Sequence, residues 1–206
     1  MYSSTPLLSS PRPKIVDWNK KSLEVYGMNH LINGPTTPEV LKDLVSDRWR
    51  PPHKSCEEVY PKIYVGSERA AKDVPLLKSL GITHIINAAC TEVKTGEVFY
   101  LQQGHRFTLL TIDISDSPTA NISTYFEEVN RFIEVALHTG GKVLVHGKDG
   151  VSRSATLVIA YLMMRKKQCA LEAVRNVRRK RHVNPTDGFL RQICDLDDKL
   201  RKDQVL

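Results

Sequence analysis

Long apolar runs, clustered cysteines and internal repeats are all missing from this chain of 206 residues. No apolar stretch reaches the roughly 18 residues that a membrane-spanning helix needs, so we expect no transmembrane segment and no membrane partner. Residues 1–13 are rich in serine and proline and have no apolar centre, which argues against a secretory signal. We therefore expect a cytoplasmic or nuclear protein, or one that occupies both compartments.

Cysteine is scarce and dispersed, with four thiols in the whole chain. No pair has the spacing of a zinc site, and a chain of this length can bury a core without disulfides or metal ions. We expect reduced thiols, no metal and no cofactor. The four residues are Cys56, Cys90, Cys169 and Cys194.

The net charge of +7 is confined to one stretch. Residues 165–181 hold eight basic residues and one acidic residue, whereas the rest of the chain is balanced at 22 of each sign. On a helix predicted over 168–181, Arg175, Arg178 and Arg179 lie on one face, and a solvated outer face is the simplest interpretation. Residues 178–181 also resemble a nuclear-import signal. Charge this local argues against nucleic acid as a partner.

Two regions of the chain differ in amino-acid composition. Residues 1–55 contain recurrent serine and proline and are interpreted as an N-terminal extension, with one helix predicted over 38–47 because Thr37 can cap it and Pro38 suits its first turn. The extension is either a lead-in that packs against an edge of the domain, which we favour, or a docking segment. Residues 56–206 are interpreted as the folded domain.

Strands and helices alternate along that domain. Strand patterns occur at 62–65, 83–88 and 142–146, and residues 106–114 suit a buried strand. Helical patterns cover 68–80, 121–137, 152–165, 168–181 and 185–201. This alternation predicts an α/β fold in which helices flank both faces of a central, mostly parallel sheet.

One loop has the composition of an anion-binding site. The apolar strand at 142–146 leads into two glycines, and a helix begins near Ser152. Amides at a helix N-terminus bind anions, and the planar guanidinium of Arg153 can bind a phosphate in a bidentate manner. The alternative is an ordinary turn with a solvated arginine. The predicted phosphate-binding residues are Gly147, Lys148, Asp149, Gly150, Val151, Ser152 and Arg153.

Residues 146–154 resemble the signature loop of the cysteine-dependent protein tyrosine phosphatases, which reads His-Cys, five residues, Arg, then Ser or Thr. The helix that follows, together with residues 59–66, 80–89 and 184–190, is similar to the atypical dual-specificity phosphatases in particular. The resemblance spans roughly residues 59–200 and implies a protein tyrosine phosphatase-like fold for residues 56–206.

The nucleophile of that family is absent, because Gly147 stands where the family has its cysteine. In the family, a thiolate attacks phosphorus and forms a phosphocysteine, a step that glycine cannot perform. A glycine here beside an intact arginine resembles the serine/threonine/tyrosine-interacting type of pseudophosphatase.

Other parts of the family's machinery have matching residues. The resemblance implies that Asp116 corresponds to the general acid, with Asp113 as the alternative, although either could simply cap a turn. Ser154 matches the hydroxyl that assists the thiolate, and His146 matches the residue that orders the loop. The resemblance also places Arg181 beside the pocket, as a candidate for binding a second phosphate.

These features lead to a first hypothesis, a pseudophosphatase that binds phosphorylated serine, threonine and tyrosine in partner proteins, protein kinases among them. A second hypothesis is an active dual-specificity phosphatase, either because Gly147 is an engineered replacement or because water attacks with Asp116 as base. A third is a scaffold that uses surfaces outside the pocket, the extension being the natural candidate. The sequence does not define an oligomeric state.

Overall fold

The computed structural model describes residues 36–203, and the part of the predicted extension before Thr36 lies outside them. The helices are α1 Pro38–Ser46, α2 Glu68–Lys72, α3 Val74–Leu80, α4 Glu97–Gln102, α5 Phe126–His138, α6 Arg153–Lys166, α7 Ala170–Lys180 and α8 Asp187–Asp203, with a 3₁₀ turn at Ile122–Tyr125. The strands are β1 Cys56–Tyr60, β2 Ile63–Gly66, β3 His84–Asn87, β4 Thr108–Thr111 and β5 Val143–His146.

The five strands form one sheet in the order β1-β2-β5-β3-β4. Strand β1 is antiparallel to β2, and the other neighbours are parallel. The predicted α/β class with a mostly parallel sheet is thus confirmed. Gly66 and Asn87 both pair with His146, so the carboxyl ends of three adjacent strands finish side by side.

Both faces of the sheet are buried. Alternate strand residues point to opposite sides, and each side packs against its own set of helices. Val143 and Val145 join the larger core, which also contains residues of α1 and of α5 to α8. Leu144, between them, joins the smaller core under α2, α3 and α4. Helix α6 is buried along almost its whole length, which makes it the central helix of the larger core.

The compact domain begins before the predicted boundary at residue 56. Helix α1 is predicted correctly, and the hydroxyl of Thr37 accepts a hydrogen bond from the amide of Val40 at 3.5 Å. Its residues Leu41 and Val45 are completely buried in the larger core. These contacts make α1 part of the domain rather than of an extension.

Two predicted elements differ from the observed ones. The helix expected over 68–80 is divided at Asp73, because Pro75 lacks an amide hydrogen and clashes with the preceding turn. The strand expected to be buried over 106–114 is the short edge strand β4, which pairs only with β3. The apolar residues that suggested burial, Ile112 and Ile114, lie beyond its end and join the larger core.

Within residues 36–203, no helix combines the length and apolar character required to cross a bilayer.

Candidate anion-binding site

The site lies at the carboxyl edge of the sheet, where β5 ends at His146 and α6 begins at Arg153. Ligand sites of open parallel sheets form at this edge, because the loops that leave neighbouring strands converge there. The predicted phosphate-binding residues therefore occupy one loop between the central strand and the central helix. We call residues 147–153 the cradle.

The main chain of the cradle directs its acceptors into the protein. The carbonyls of residues 148–151 accept hydrogen bonds from the amides of Glu68 and Asn184, both at 2.8 Å, and from the guanidinium of Arg181 at 2.7 and 3.1 Å. Among the described residues, no main-chain carbonyl accepts from the amides of residues 148–152. Consecutive amides left in this way form an anion-binding concavity at the N-terminus of α6.

The second glycine of the cradle is required by its surroundings. Gly150 has a φ angle of +70°, a left-handed conformation that glycine adopts without strain. A Cβ atom at this position would lie 2.3 Å from the carbonyl oxygen of Gly66, which is a severe clash. The curvature of the loop therefore depends on Gly150.

Arg153 is the buried cation of the cradle, with its side chain only 3% exposed, so it is not the solvated arginine of the alternative interpretation. Its Nη1 donates to Oε1 of Glu92 at 2.5 Å and to the carbonyl of Ile114 at 3.1 Å. Its Nε lies 3.6 Å from Oδ2 of Asp116. Nη1 is thus engaged by the protein, and the Nε–Nη2 edge, whose Nε faces Asp116, is the edge that a ligand would use.

Of the two predicted acidic candidates, Asp116 is the one that reaches the cradle. Its Oδ1 accepts a hydrogen bond from the Ser152 hydroxyl at 2.6 Å, while about a third of the side chain remains exposed. Asp113 is exposed, and its main-chain carbonyl accepts from the hydroxyl of Tyr125. Asp116 is therefore placed to exchange a proton with a group bound in the cradle.

The loop that carries Asp116 is held against the start of α8. A Cβ atom at Gly188 would lie 1.8 Å from the carbonyl oxygen of Pro118, so the two segments approach as closely as they do only because residue 188 is glycine. This close packing fixes the loop two residues beyond Asp116.

Position 147 has room for a side chain. A Cβ atom built on Gly147 would have one neighbour within 4 Å, the Ser154 hydroxyl oxygen at 3.8 Å, which is an ordinary contact. Ser154 is completely buried, and its hydroxyl has no hydrogen-bond partner among the described residues. The geometry thus retains a hydroxyl opposite the position where a side chain could stand.

His146 is buried at the start of the cradle, where its ring contacts the carbonyl of Gly147. Burial lowers the pKa of this completely buried imidazole to about 4, so it is neutral near pH 7. Its Nδ1 lies 3.3 Å from the carbonyl oxygen of Gly147, and its Nε2 lies 3.4 Å from the hydroxyl of Thr95. Because a carbonyl can only accept, Nδ1 carries the proton and Nε2 accepts from Thr95.

Sequence reasoning missed Glu92, which follows β3 on the loop that enters the site. Its carboxylate binds Arg153 and lies 4.0 Å from Nζ of Lys148, so it joins the two cationic side chains of the cradle. Asp149 is the third acidic group, and it is exposed. The position of Glu92 just beyond a parallel strand is the signal that could have identified it.

The predicted role of Arg181 in binding a second phosphate does not agree with its position. Its side chain has no exposed surface and forms an ion pair with Glu57. The remaining donors bind the carbonyls of Lys54, Asp149 and Gly150. Arg181 therefore supports the cradle from behind, where a ligand phosphate does not reach it.

Three of the four cysteines are unsuited to act as a substitute nucleophile. Burial raises the pKa of Cys56, Cys169 and Cys194, in the last case to about 12, which keeps these thiols protonated near pH 7. In the described part of the chain, no three His, Cys, Asp or Glu side chains are grouped so that they could hold a metal ion.

The domain matches a known family. The family model of the dual specificity phosphatase catalytic domain matches residues 63–199. Human dual specificity protein phosphatase 13B is 40% identical over 172 residues, which cover 82% of this chain and 86% of that protein. Bovine dual specificity protein phosphatase 26 is 40% identical over 147 residues, covering 71% of this chain and 69% of that protein.

Solved structures agree with this match. The human tyrosine phosphatase-like serine/threonine/tyrosine-interacting protein is similar with a TM-score of 0.63 and 34% identity, over 73% of this chain and 98% of that one. Human DUSP28 is similar with a TM-score of 0.62 and 26% identity, over 72% of this chain and 96% of that one. The predicted protein tyrosine phosphatase-like fold is thereby confirmed.

Proposed function

Because this chain belongs to the dual specificity phosphatase family, we propose that it binds phosphorylated serine, threonine and tyrosine residues of partner proteins and does not hydrolyse them. Phosphorylated protein kinases fall within the proposed class of partners. The family has a phosphate-binding loop, and this chain has a different residue at one position of that loop that catalysis requires.

The observation that carries the proposal is Gly147. The family's reaction needs a thiolate at this position, which attacks phosphorus while a carboxylic acid protonates the leaving oxygen. Gly147 offers no nucleophilic atom, and the nearest hydroxyl, that of Ser154, is buried and has no hydrogen-bond partner among the described residues that could act as its base. Without a first bond to phosphorus, no covalent intermediate forms.

Phosphate binding does not require the missing thiolate. The amides of residues 148–152 and the Nε–Nη2 edge of Arg153 are donors suited to phosphoryl oxygens. A thiolate would place a negative charge against a bound phosphate, and glycine removes that repulsion. The retained donors and the removed charge together favour a binding protein over an empty remnant of an enzyme.

The carboxylate of Asp116 competes with the proposed ligand. It accepts from Ser152 and lies 3.6 Å from Arg153, so it occupies donors that a phosphoryl group would also use. A bound phosphate dianion must displace this carboxylate or share the donors with it. We therefore expect neutralisation of Asp116 to strengthen phosphate binding.

The test is a titration of a fluorescent phosphotyrosine peptide and of its unphosphorylated counterpart, followed by anisotropy. Removing a charge-assisted, bidentate donor costs about 1.5–3 kcal/mol, so Arg153→Ala should weaken phosphopeptide binding by at least about tenfold. Asp116→Asn should strengthen it. Arg131→Ala, which removes an exposed arginine from α5, is the matched control.

Equal affinity for the two peptides, or phosphopeptide binding unchanged by Arg153→Ala, would contradict the proposal. Partner binding that persists without Arg153 would instead support a scaffold that acts through other surfaces. Release of inorganic phosphate by the unaltered chain, measured in parallel, would point to an active phosphatase with a different nucleophile.

A further inference from the structure

We propose that a basic surface beside the cradle binds an acidic segment of the partner protein, next to the phosphorylated residue. This inference rests on the proposed function, because it assumes that the phosphorylated residue lies in the cradle. The basic surface is built from two distant segments of the chain. It consists of Arg50, His53, Lys54, Arg178, Lys180 and His182.

Direct contacts hold the two segments together. The guanidinium of Arg178 donates to the carbonyl of Asp47, and that of Arg181 donates to the carbonyl of Lys54 at 3.0 Å. Lys54 and Lys180 line the same groove, of about 730 Å³. The basic end of α7 therefore continues into the segment that precedes β1, although the sequence separates the two by more than 120 residues.

The surface lies at the same edge of the sheet as the cradle. Strand β1 runs antiparallel to β2 and pairs Cys56 with Gly66, so the residues just before β1 lie at the carboxyl edge of the parallel strands. The amide of Ser67 donates to the carbonyl of Ser55 at 2.8 Å. Arg181, one residue beyond α7, binds the cradle carbonyls. A peptide anchored in the cradle can thus extend onto this surface.

Within residues 36–203, the positive charges of this surface have no counterion. Among residues 36–203, no carboxylate lies within ion-pair distance of Arg50, Lys54, Arg178 or Lys180. The adjoining groove has two acidic groups: Glu57, which forms an ion pair with Arg181, and Glu58, which accepts a hydrogen bond from the amide of Lys62.

Two nitrogen atoms without hydrogen-bond partners and the pKa of a histidine also bear on the charge of this surface. In the described part of the chain, Nε of Arg178 and Nδ1 of His182 are buried without a hydrogen-bond partner. Burial, with Arg178, Arg50 and His53 nearby, lowers the pKa of His182. The charge of the surface near neutral pH therefore does not depend on His182, and its arginines and lysines repel one another until an anion binds.

The location favours a polypeptide over a lipid surface or a nucleic acid. The positive charge lies beside a site for one phosphoryl group, and two of its lysines line a groove, whereas a bilayer presents a flat array of charges. Outside residues 165–181 the chain carries equal numbers of acidic and basic residues, so it offers no extended positive field for nucleic acid. Trp49, 39% exposed and adjacent to Arg50, adds an apolar contact of the kind found in peptide interfaces.

The experiment compares two phosphotyrosine peptides that differ only in the flank, Asp/Glu in one and Asn/Gln in the other, together with their unphosphorylated counterparts. Exposed ion pairs contribute about 0.2–1 kcal/mol each, so the acidic flank should improve affinity about three- to tenfold. The double variant Arg50→Ala/His53→Ala removes two of the six side chains of the surface, so it should reduce this advantage and leave the affinity for the neutral-flank phosphopeptide unchanged. Both replaced side chains are exposed, so the fold should persist.

His105→Ala/Arg106→Ala is a matched control, since it removes the same residue types just before β4, at the opposite edge of the sheet. The proposal is overturned if the two flanks bind equally, if Arg50→Ala/His53→Ala leaves the advantage undiminished, or if the control reduces it to the same extent. Vesicles of anionic lipid or duplex DNA binding more tightly than the acidic peptide would also overturn it. If the proposed function itself fails, phosphorylation has no effect on affinity, whereas the preference for the acidic flank is measured separately in the unphosphorylated pair.

Discussion

Replacing Gly147 with cysteine should convert this chain into a phosphatase. The new Cβ atom would meet only the Ser154 hydroxyl at 3.8 Å, and the backbone of residue 147 is not in the left-handed region, so we expect no clash and no strain. Substituting glycine where the backbone permits it stabilises a protein by about 0.4–1 kcal/mol through the unfolded chain. Gly147→Cys should therefore fold at least as well as the unaltered chain.

The cradle should activate the introduced thiol. A cysteine at a helix N-terminus beside arginine has a pKa of about 3.5–7.5, and here the Arg153 guanidinium and the N-terminus of α6 provide that environment. The introduced thiol should thus ionise at a lower pH than an ordinary cysteine. The thiolate attacks phosphorus, the ester bond to the leaving oxygen breaks, and the carboxylic acid of Asp116 protonates that oxygen. Water then hydrolyses the phosphocysteine.

The assay is release of inorganic phosphate from a small aryl phosphate, with iodoacetate labelling against pH to measure the pKa of the thiol. Gly147→Ala is the control, because it fills the same position without a nucleophile. Removing the general acid should cost about 10²- to 10⁴-fold, so Gly147→Cys/Asp116→Asn should be far slower than Gly147→Cys alone. A folded Gly147→Cys protein that has a low thiol pKa but no more activity than Gly147→Ala would refute this reasoning.

Two further changes test the supports of the cradle. Removing one member of a buried ion pair costs about 3–5 kcal/mol, so Arg181→Met should lower the free energy of unfolding by about that amount. Exposed Arg179→Met, on α7, should change it by less than about 0.5 kcal/mol, and equal effects in urea unfolding would contradict the buried role. Because the pKa of His146 falls from 6.5 to about 4 on folding, its contribution to stability is present above pH 6.5 and is lost as the pH falls toward 4. The slope should reach about 1.4 kcal/mol per pH unit and should be smaller in His146→Asn, whereas identical slopes would exclude His146 as its source.

The central part of the site could be predicted because it is local in sequence. The strand at Val143–His146, the two glycines and Arg153 follow one another, so spacing alone indicates a loop of amides at a helix start. The resemblance of this loop to the family's signature identifies Gly147 as the position of the missing nucleophile. No distant contact is needed for either conclusion.

Contacts between distant segments could not be predicted in the same way. Glu92 and Arg153 are 61 residues apart, and only the convergence of loops at one sheet edge brings them together. The sequence likewise indicated that Arg181 is basic and near the pocket, but not that its guanidinium points into the protein toward Glu57 and the cradle carbonyls.

The sequence by itself determined the alternation of strands and helices, and its resemblance to a family determined where Gly147 stands in that family's signature loop, because both depend on residue type and short-range order. The tertiary structure alone decided that α1 belongs to the core, that Asp116 rather than Asp113 faces the cradle, and that residues 50–54 adjoin the basic end of α7. Each of these depends on which surfaces pack together in three dimensions. Packing decides whether a charged side chain is buried against a partner or left to meet a ligand, and the spacing of residues along the chain does not contain that information.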